Sequence, residues 1–390
     1  MIVTHIWAYP TRAAVSRPFR SARGWVRERA DLLVELVTDS GHSGWGDGGD
    51  LGSGPATLAT AAPKLLGCDL AGTDPCQLWD DLATTLPLAE LSAVDTALWD
   101  LRGQALGQPI TRLLAAESGY ERPRVRAYAT GLFYREGWSV SDHERELARE
   151  AESYAVAGFA AMKLKTGFGL DADERHVAAI RRVIGADTGL FVDSNGGYSP
   201  AQSVALAQRI ASQDIGWMEE PADPQDWAGY RRVREALHAL SSSFAVAGGE
   251  RLASAADFES GCEAGAWDVV QPDIIYVGGI TGLWRLGNLI RGRGMALVPH
   301  CFYSGIALAG TLQLLAALPP NPPGGSPSLV QEPLLEYDQT EHPTREALVH
   351  PRIGQRDGFV AVPDGPGLGI EVDRDVLERY ATSAVDVAHM

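Results

Sequence analysis

Positive charge is what this 390-residue chain lacks most. Its 33 lysines and arginines stand against 50 aspartates and glutamates, a net charge of −17. That balance excludes a general affinity for nucleic acid or for anionic membrane surfaces, and any site for an anionic substrate must be positive locally. Cysteine is scarce. Cys68, Cys76, Cys262 and Cys301 lie far apart and form no CxxC pair, which excludes a disulfide framework and a cysteine-ligated zinc site and suits a reducing cytoplasm. No apolar run is long enough to span a bilayer. The opening MIVTHIWAYPTRAAVSRPFR has no signal-peptide core. A cytoplasmic protein, with neither nucleic acid nor membrane as partner, is expected.

What is present is a change of pattern along the chain. Residues 1–123 read as a small α+β module. The strand-like runs IVTHIWAY and ADLLVELVTD flank a basic loop, SGHSGWGDGGD supplies turns, and LAELSAVDTALWDLRGQALGQPITRLL is helical. From Arg124 short apolar strands alternate with amphipathic helices. The strands are RVRAYAT, AAMKLKTG, LFVDSN, WMEEP, FAVAGGE, WDVVQPD, MALVPHCF and VQEPLLEY, with seven helical segments between them. Eight such units over residues 124–338 approach the length of a (β/α)8 barrel, about 250 residues. A doubly wound open sheet also alternates, but here no glycine-rich phosphate-binding turn joins the first of these strands to a helix. NPPGGSPS reads as a long loop, and residues 339–390 as a segment that packs back on the first module. The expected fold class is α/β: a TIM-like barrel with an N-terminal α+β capping domain completed by the C-terminal segment.

In AMKLKTG, alternation puts Lys163 and Lys165 on one face of a short buried strand. Two ammonium groups there cost desolvation and repel each other, so something must compensate. The other strands end alike: Asp193 and Asn195 in VDSN, Glu219 and Glu220 in MEEP, Glu250 in GGE, Asp273 in QPD, His300 in VPHC and Glu336 in LEY. Each alone has an ordinary explanation as an edge strand, a turn, a helix cap or a core histidine. Seven consecutive strands ending in ionisable groups do not, because in a barrel the strand C-termini build the active site.

Asp193, Glu219 and Glu250 come from three successive strands, so their carboxylates can converge. Three hard oxygen ligands without sulfur or nitrogen favour Mg2+, with Mn2+ as the alternative. A cation beside either lysine, together with burial, lowers that lysine's pKa toward neutrality and makes it a usable base. Across the mouth Asp273 can fix the tautomer of His300 for proton transfer. Two opposed acid–base groups flanking a cation suit removal of a proton α to a carboxylate, the cation and Lys163 stabilising the dianion. Glu336, if protonated, would donate a hydrogen bond to the substrate carboxylate.

Together KLK, VDSN, MEEP, GGE, QPD, PH and LEY, in order, with the helical segment LSAVDTALWDLRGQALGQPITRLL, resemble the enolase superfamily and within it the mandelate racemase subgroup, over nearly the whole chain. The resemblance implies Asp193, Glu219 and Glu250 as metal ligands, Lys165 and the His300–Asp273 pair as acid–base catalysts, and Lys163, Asn195 and Glu336 as contacts to a small-molecule carboxylate. The similar muconate-cycloisomerase branch carries a lysine where this chain has Asp273 and is set aside. The chain departs from the pattern in three places: a longer interval before Glu250, read as a surface insertion around SSSFA; the long NPPGGSPS; and Asp47 in GWGD, where many relatives have glutamate. The resemblance also implies that the basic segment VSRPFRSARGWVRER covers the barrel mouth. Its arginines, Arg20 among them, point to a polyhydroxylated sugar acid, dehydrated to a 2-keto-3-deoxy acid. Racemisation or epimerisation is the alternative. A non-catalytic binding descendant would have lost a ligand or a base, and none is missing. A homo-oligomer is expected.

Overall fold

Strands and helices alternate from Arg124 as the pattern requires. The structure, a computed structural model, describes residues 1–51, 53–70, 72–323 and 327–389. The centre of NPPGGSPS, residues 324–326, lies outside them. The eight barrel strands in chain order are Arg124–Thr130, Ala161–Lys165, Gly189–Asp193, Ile215–Glu219, Ala245–Gly248, Val269–Val270, Ala296–Leu297 and Leu334–Asp338. Seven helices separate them, from Val140–Val156 to Gly305–Ala317. The parallel ladder runs from the eighth strand through the first to the seventh. Every second residue points inward. Below the mouth this interior is apolar, with Tyr128, Phe191 and Trp217 packed among Ala161, Ala245 and Val269.

The first five strands run from 4 to 7 residues, with one register irregularity between Leu190 and Val192, and place Lys165 opposite Asp193 and Asp193 opposite Glu219. The sixth and seventh are two residues each. Among the described residues, the seventh and eighth strands share no backbone ladder. A side chain closes the gap. Buried Asn321 accepts from the Leu297 N–H (3.0 Å) and donates to the carbonyls of Leu297 (3.1 Å) and Val330 (2.7 Å), just before the eighth strand. It supplies the pairing that a neighbouring strand would otherwise give.

The capping sheet is antiparallel: Val3–Ser21, Gly24–Thr38 and Ser43–Asp47, packed on the helix Leu88–Leu106. Two sequence expectations change here. SGHSGWGDGGD is not all turn, because Ser43–Asp47 is a strand. Its glycines allow close approach to the helix, and a Cβ on Gly46 would lie 1.7 Å from the Ala93 carbonyl oxygen. The basic segment is not a loop but the end of a two-stranded ribbon turning at Ala22 and Arg23. Apolar residues alternate among its arginines, and Val15, Phe19 and Val26 cluster with Phe133 and Phe302 of the barrel loops. The ribbon also pairs with the short strand Tyr134–Arg135 after the first barrel strand. The C-terminal segment contributes to both sheets: Val385–Asp386 pairs with the first capping strand, and Phe359–Ala361 with the first barrel strand.

Candidate active site

Lys163 and Lys165 both point into the barrel, and the acidic strand ends surround them. Lys163 Nζ is fully buried, 2.6 Å from Glu219 Oε1, 2.8 Å from Glu336 Oε1 and 3.8 Å from Asp193 Oδ2. Lys165 Nζ donates to Asp193 Oδ2. Burial opposes the charge on each lysine, but the adjacent carboxylates outweigh it and raise both pKa values. From the protein's own groups alone, then, Lys165 is held charged rather than brought toward neutrality. Glu336 also differs from expectation. Burial pushes its carboxyl up, but Lys163 and His300 pull it down to about 2. It is therefore ionised, an acceptor rather than a donor.

Asp193, Glu219 and Glu250 each offer one carboxylate oxygen within 4.8 Å of the others, all buried. Burial pushes Glu219 up, Lys163 draws it down, and the crowding of Asp193, Glu336 and Glu250 pushes it up again, to about 8. Its second oxygen accepts from Gln271 Nε2 (2.8 Å) and Trp217 Nε1 (3.1 Å), which fixes the carboxylate plane. Glu250 Oε2 and Asn195 Oδ1 are buried without hydrogen-bond partners among the described residues. Three hard oxygens that repel one another, beside buried acceptors without donors, fit a divalent cation of the Mg2+ class.

Across the mouth the sixth and seventh strand ends meet. An isolated bridge joins Asp273 to His300, and Asp273 Oδ2 lies 2.5 Å from His300 Nδ1. The opposite nitrogen, Nε2, is 3.6 Å from Glu250 Oε2. Burial opposes the imidazolium, but Glu250, Glu336 and Asp273 together raise His300 to about 10.

A cavity of about 620 Å3 opens above, lined by Lys165, Asn195, Glu250 and His300 and walled by Trp25, Phe133, Tyr276, Phe302 and Tyr303. Arg20 is not among its lining residues. Its guanidinium lies over the rings of Trp25, which walls the cavity, and Phe168. Arg23, from the ribbon turn, lines the cavity instead and reaches 3.5 Å from Glu250 Oε1. Arg23 sits in the turn of the ribbon, and Arg27 and Arg29 on its second strand line the cavity as well, so composition alone could not choose among the arginines. Ala22 beside it sits on glycine: a Cβ on Gly167 or Gly197 would lie 2.9 or 2.6 Å from Ala22 Cβ.

Sequence reasoning missed several members of this site. Thr130 Oγ1 donates to Glu336 Oε1 at 2.6 Å; its signal was its position at the end of the first strand. Gln271 orients Glu219, two residues before Asp273. Glu220 accepts from Arg251 Nε (2.6 Å) and Asn195 Nδ2 (3.3 Å), so the second glutamate of MEEP braces Asn195. Both Glu220 and Asn195 adopt positive φ, 42° and 43°, a costly backbone that tends to persist at functional sites.

The chain is similar to known proteins over most of its length. Residues 4–115 match the family described as mandelate racemase/muconate lactonizing enzyme, N-terminal domain, and residues 146–376 the enolase C-terminal domain-like family. The chain is 37% identical to D-galactarolactone cycloisomerase of Agrobacterium fabrum, over 97% of this chain and 99% of that one. It is 31% identical to arabinonate dehydratase of Saccharolobus solfataricus, over 90% of each. A crystal structure of a Streptomyces coelicolor racemase with bound magnesium superposes with a TM-score of 0.80 at 26% identity, over 97% of this chain and all of that one.

Proposed function

The chain belongs to the mandelate racemase/muconate lactonizing enzyme family of the enolase superfamily, and from that premise we propose that it cleaves a carbon–oxygen bond β to the carboxylate of a sugar acid, most simply by dehydration. One observation carries this reading: the two proton carriers, Lys165 and His300, each contact a different member of a single carboxylate cluster.

Asp193, Glu219 and Glu250 would hold Mg2+, or Mn2+, which supplies positive charge to the carboxylate as the α-proton leaves. Asp193 holds Lys165 charged; a cation on that carboxylate would weaken its hold, and burial would then favour the neutral amine that serves as base. Lys163 adds a second positive charge beneath the substrate carboxylate, and Asn195 and Glu336 orient the α-hydroxyl side. Lys165 takes the α-proton. His300, held as an imidazolium and oriented by Asp273, protonates the β-oxygen as the Cβ–O bond breaks. The resulting enol tautomerises to a 2-keto-3-deoxy acid, and one water is lost. Arg23, at the ribbon turn, adds positive charge beside Glu250 at the cavity wall.

The identity to a galactarolactone cycloisomerase favours a second form of the same step. If the β-oxygen belongs to a lactone ring, its departure opens the ring, no atoms are lost, and the net reaction is an isomerisation. The test is 1H NMR in D2O of the enzyme with Mg2+ and a panel of aldonic acids, aldaric acids and their lactones. A 2-keto-3-deoxy product from a free acid supports dehydration, and the same product class from a lactone supports ring opening. α-Proton exchange with inversion and no C–O cleavage would make the enzyme an epimerase. No exchange and no product across the panel would remove the reading.

A further inference from the structure

The seventh barrel strand carries the acid–base histidine yet is the least supported strand of the barrel. It pairs with the sixth through two residues, and past them His300 keeps a backbone partner only on that side, its N–H donating to the Pro272 carbonyl at 3.1 Å. On the open side Asn321 holds Leu297. Residues 301–304, between His300 and the next helix, carry no regular structure; Tyr303 Oη donates to Tyr276 Oη at 2.7 Å within the barrel, and Phe302 and Ser304 are held from the capping module. Asp47 Oδ2 accepts from Ser304 Oγ (2.5 Å) and from the Ser304 N–H (3.2 Å), while Asp47 Oδ1 accepts from the Gly49 N–H (2.7 Å). Asp47 is 1% exposed. Arg29, from the neighbouring strand, stacks on the Phe302 ring at 4.1 Å and reaches the Phe302 carbonyl at 3.5 Å. The turn after Asp47 is tied in as well: a Cβ on Gly49 would meet the Tyr303 ring at 3.0 Å.

We infer that Asp47 of the capping module is a positioning residue for His300, acting through Ser304. The carboxylate at the end of the third capping strand replaces the strand pairing that the open side of the barrel does not give. Its two oxygens are divided between the two modules, one on the barrel segment that follows His300 and one on the capping turn. Ser304 also caps the helix Gly305–Ala317, donating to Asp47 while accepting from the Ile306 N–H. The position of His300 is thus referred to the capping sheet, whereas Lys165 is referred to the barrel ladder. A residue one methylene longer would have to push Ser304, and with it the segment leading back to His300.

This inference rests on the proposed reaction for its kinetic readout, and on atomic position for a readout independent of it. Ser304→Ala removes the hydroxyl donor while keeping the fold's volume; Asp47→Asn and Asp47→Glu probe the acceptor. A crystal structure of Ser304→Ala with Mg2+ is expected to show the His300 imidazole displaced or spread by about 1 Å, enough to cost about 10- to 100-fold in a positioned proton transfer. Elimination should fall by that factor, while α-proton exchange with D2O through Lys165 stays within about twofold. His300 unmoved in the variant crystal, or elimination and exchange falling together, would overturn the assignment. If the parent enzyme turns over no sugar acid, the proposed reaction fails, and the imidazole position alone decides the role of Asp47.

Discussion

The two halves of the barrel mouth are held by different means. On the lysine side Lys163, Lys165, Asp193 and Glu219 are inward residues of longer strands in one ladder, and their positions follow from register. On the histidine side Asp273 and His300 lie beyond two-residue strands and are fixed by an isolated bridge, Asn321 and the capping module. Two residues below Asp193, Glu219, His300 and Glu336 lie Phe191, Trp217, Val298 and Leu334, an apolar floor under the polar mouth. The lysine side is over-determined and self-contained. The histidine side depends on contacts made late, between modules, so perturbations there should divide the two proton-transfer steps.

The largest expected effect falls on both sides at once. Chelation by EDTA, or Glu219→Gln, should reduce turnover at least about 1000-fold, since several kcal/mol of charge stabilisation depend on the ion. Mg2+ should restore the parent but not the variant, and calorimetric titration with Mg2+ should show weakened binding in Glu219→Gln. Next, Lys165→Met and His300→Asn should each lower elimination by about 100- to 10,000-fold. Only His300→Asn should retain α-proton exchange in D2O, and full turnover in that variant would remove His300 from its role.

Asn321→Ala should strike the histidine side through the frame. It leaves an N–H and two carbonyls buried without partners, at a cost of about 3 kcal/mol in urea unfolding. Gly197→Ala should act on the lid. The new Cβ would meet Ala22 at 2.6 Å, and displacement of the ribbon turn with Arg23 should raise KM about 3- to 10-fold, while Mg2+ affinity stays unchanged.

The smallest effect concerns the seam behind the histidine side. Asp95 of the capping helix accepts from Thr281 N–H (2.8 Å) and Oγ1 (2.6 Å) on the barrel helix Gly279–Gly292. Burial raises Asp95 from 3.8 to about 7, against those hydrogen bonds. A carboxyl that binds its proton more tightly when folded stabilises fully below pH 3.8, and that contribution is lost as pH rises through 7. Asp95→Asn should therefore flatten the fall of Tm between about pH 4 and 7 by a few degrees. An unchanged profile would count against a titrating Asp95.

Periodicity and strand-end chemistry determined much of this protein. Alternation of apolar runs with amphipathic segments is local physics, so eight strands, seven helices and the parity that sends Lys163 and Lys165 inward were legible before any contact was known. So was the candidate ligand set, because three carboxylates at successive strand ends can only converge. What depended on long-range contact was not legible. Which arginines of the basic segment line the cavity depends on how the ribbon packs against Phe133 and Phe302. The charge states of Lys165 and Glu336 depend on which carboxylates and cations come within a few ångströms, and sequence spacing does not encode that. Asn321 and Thr130 are ordinary letters in the chain, and Asp47 stood out only as an exchange for glutamate. Only tertiary structure decided that they support a strand end, a gap and a carboxylate, because their partners are set by how two modules dock rather than by neighbours in sequence.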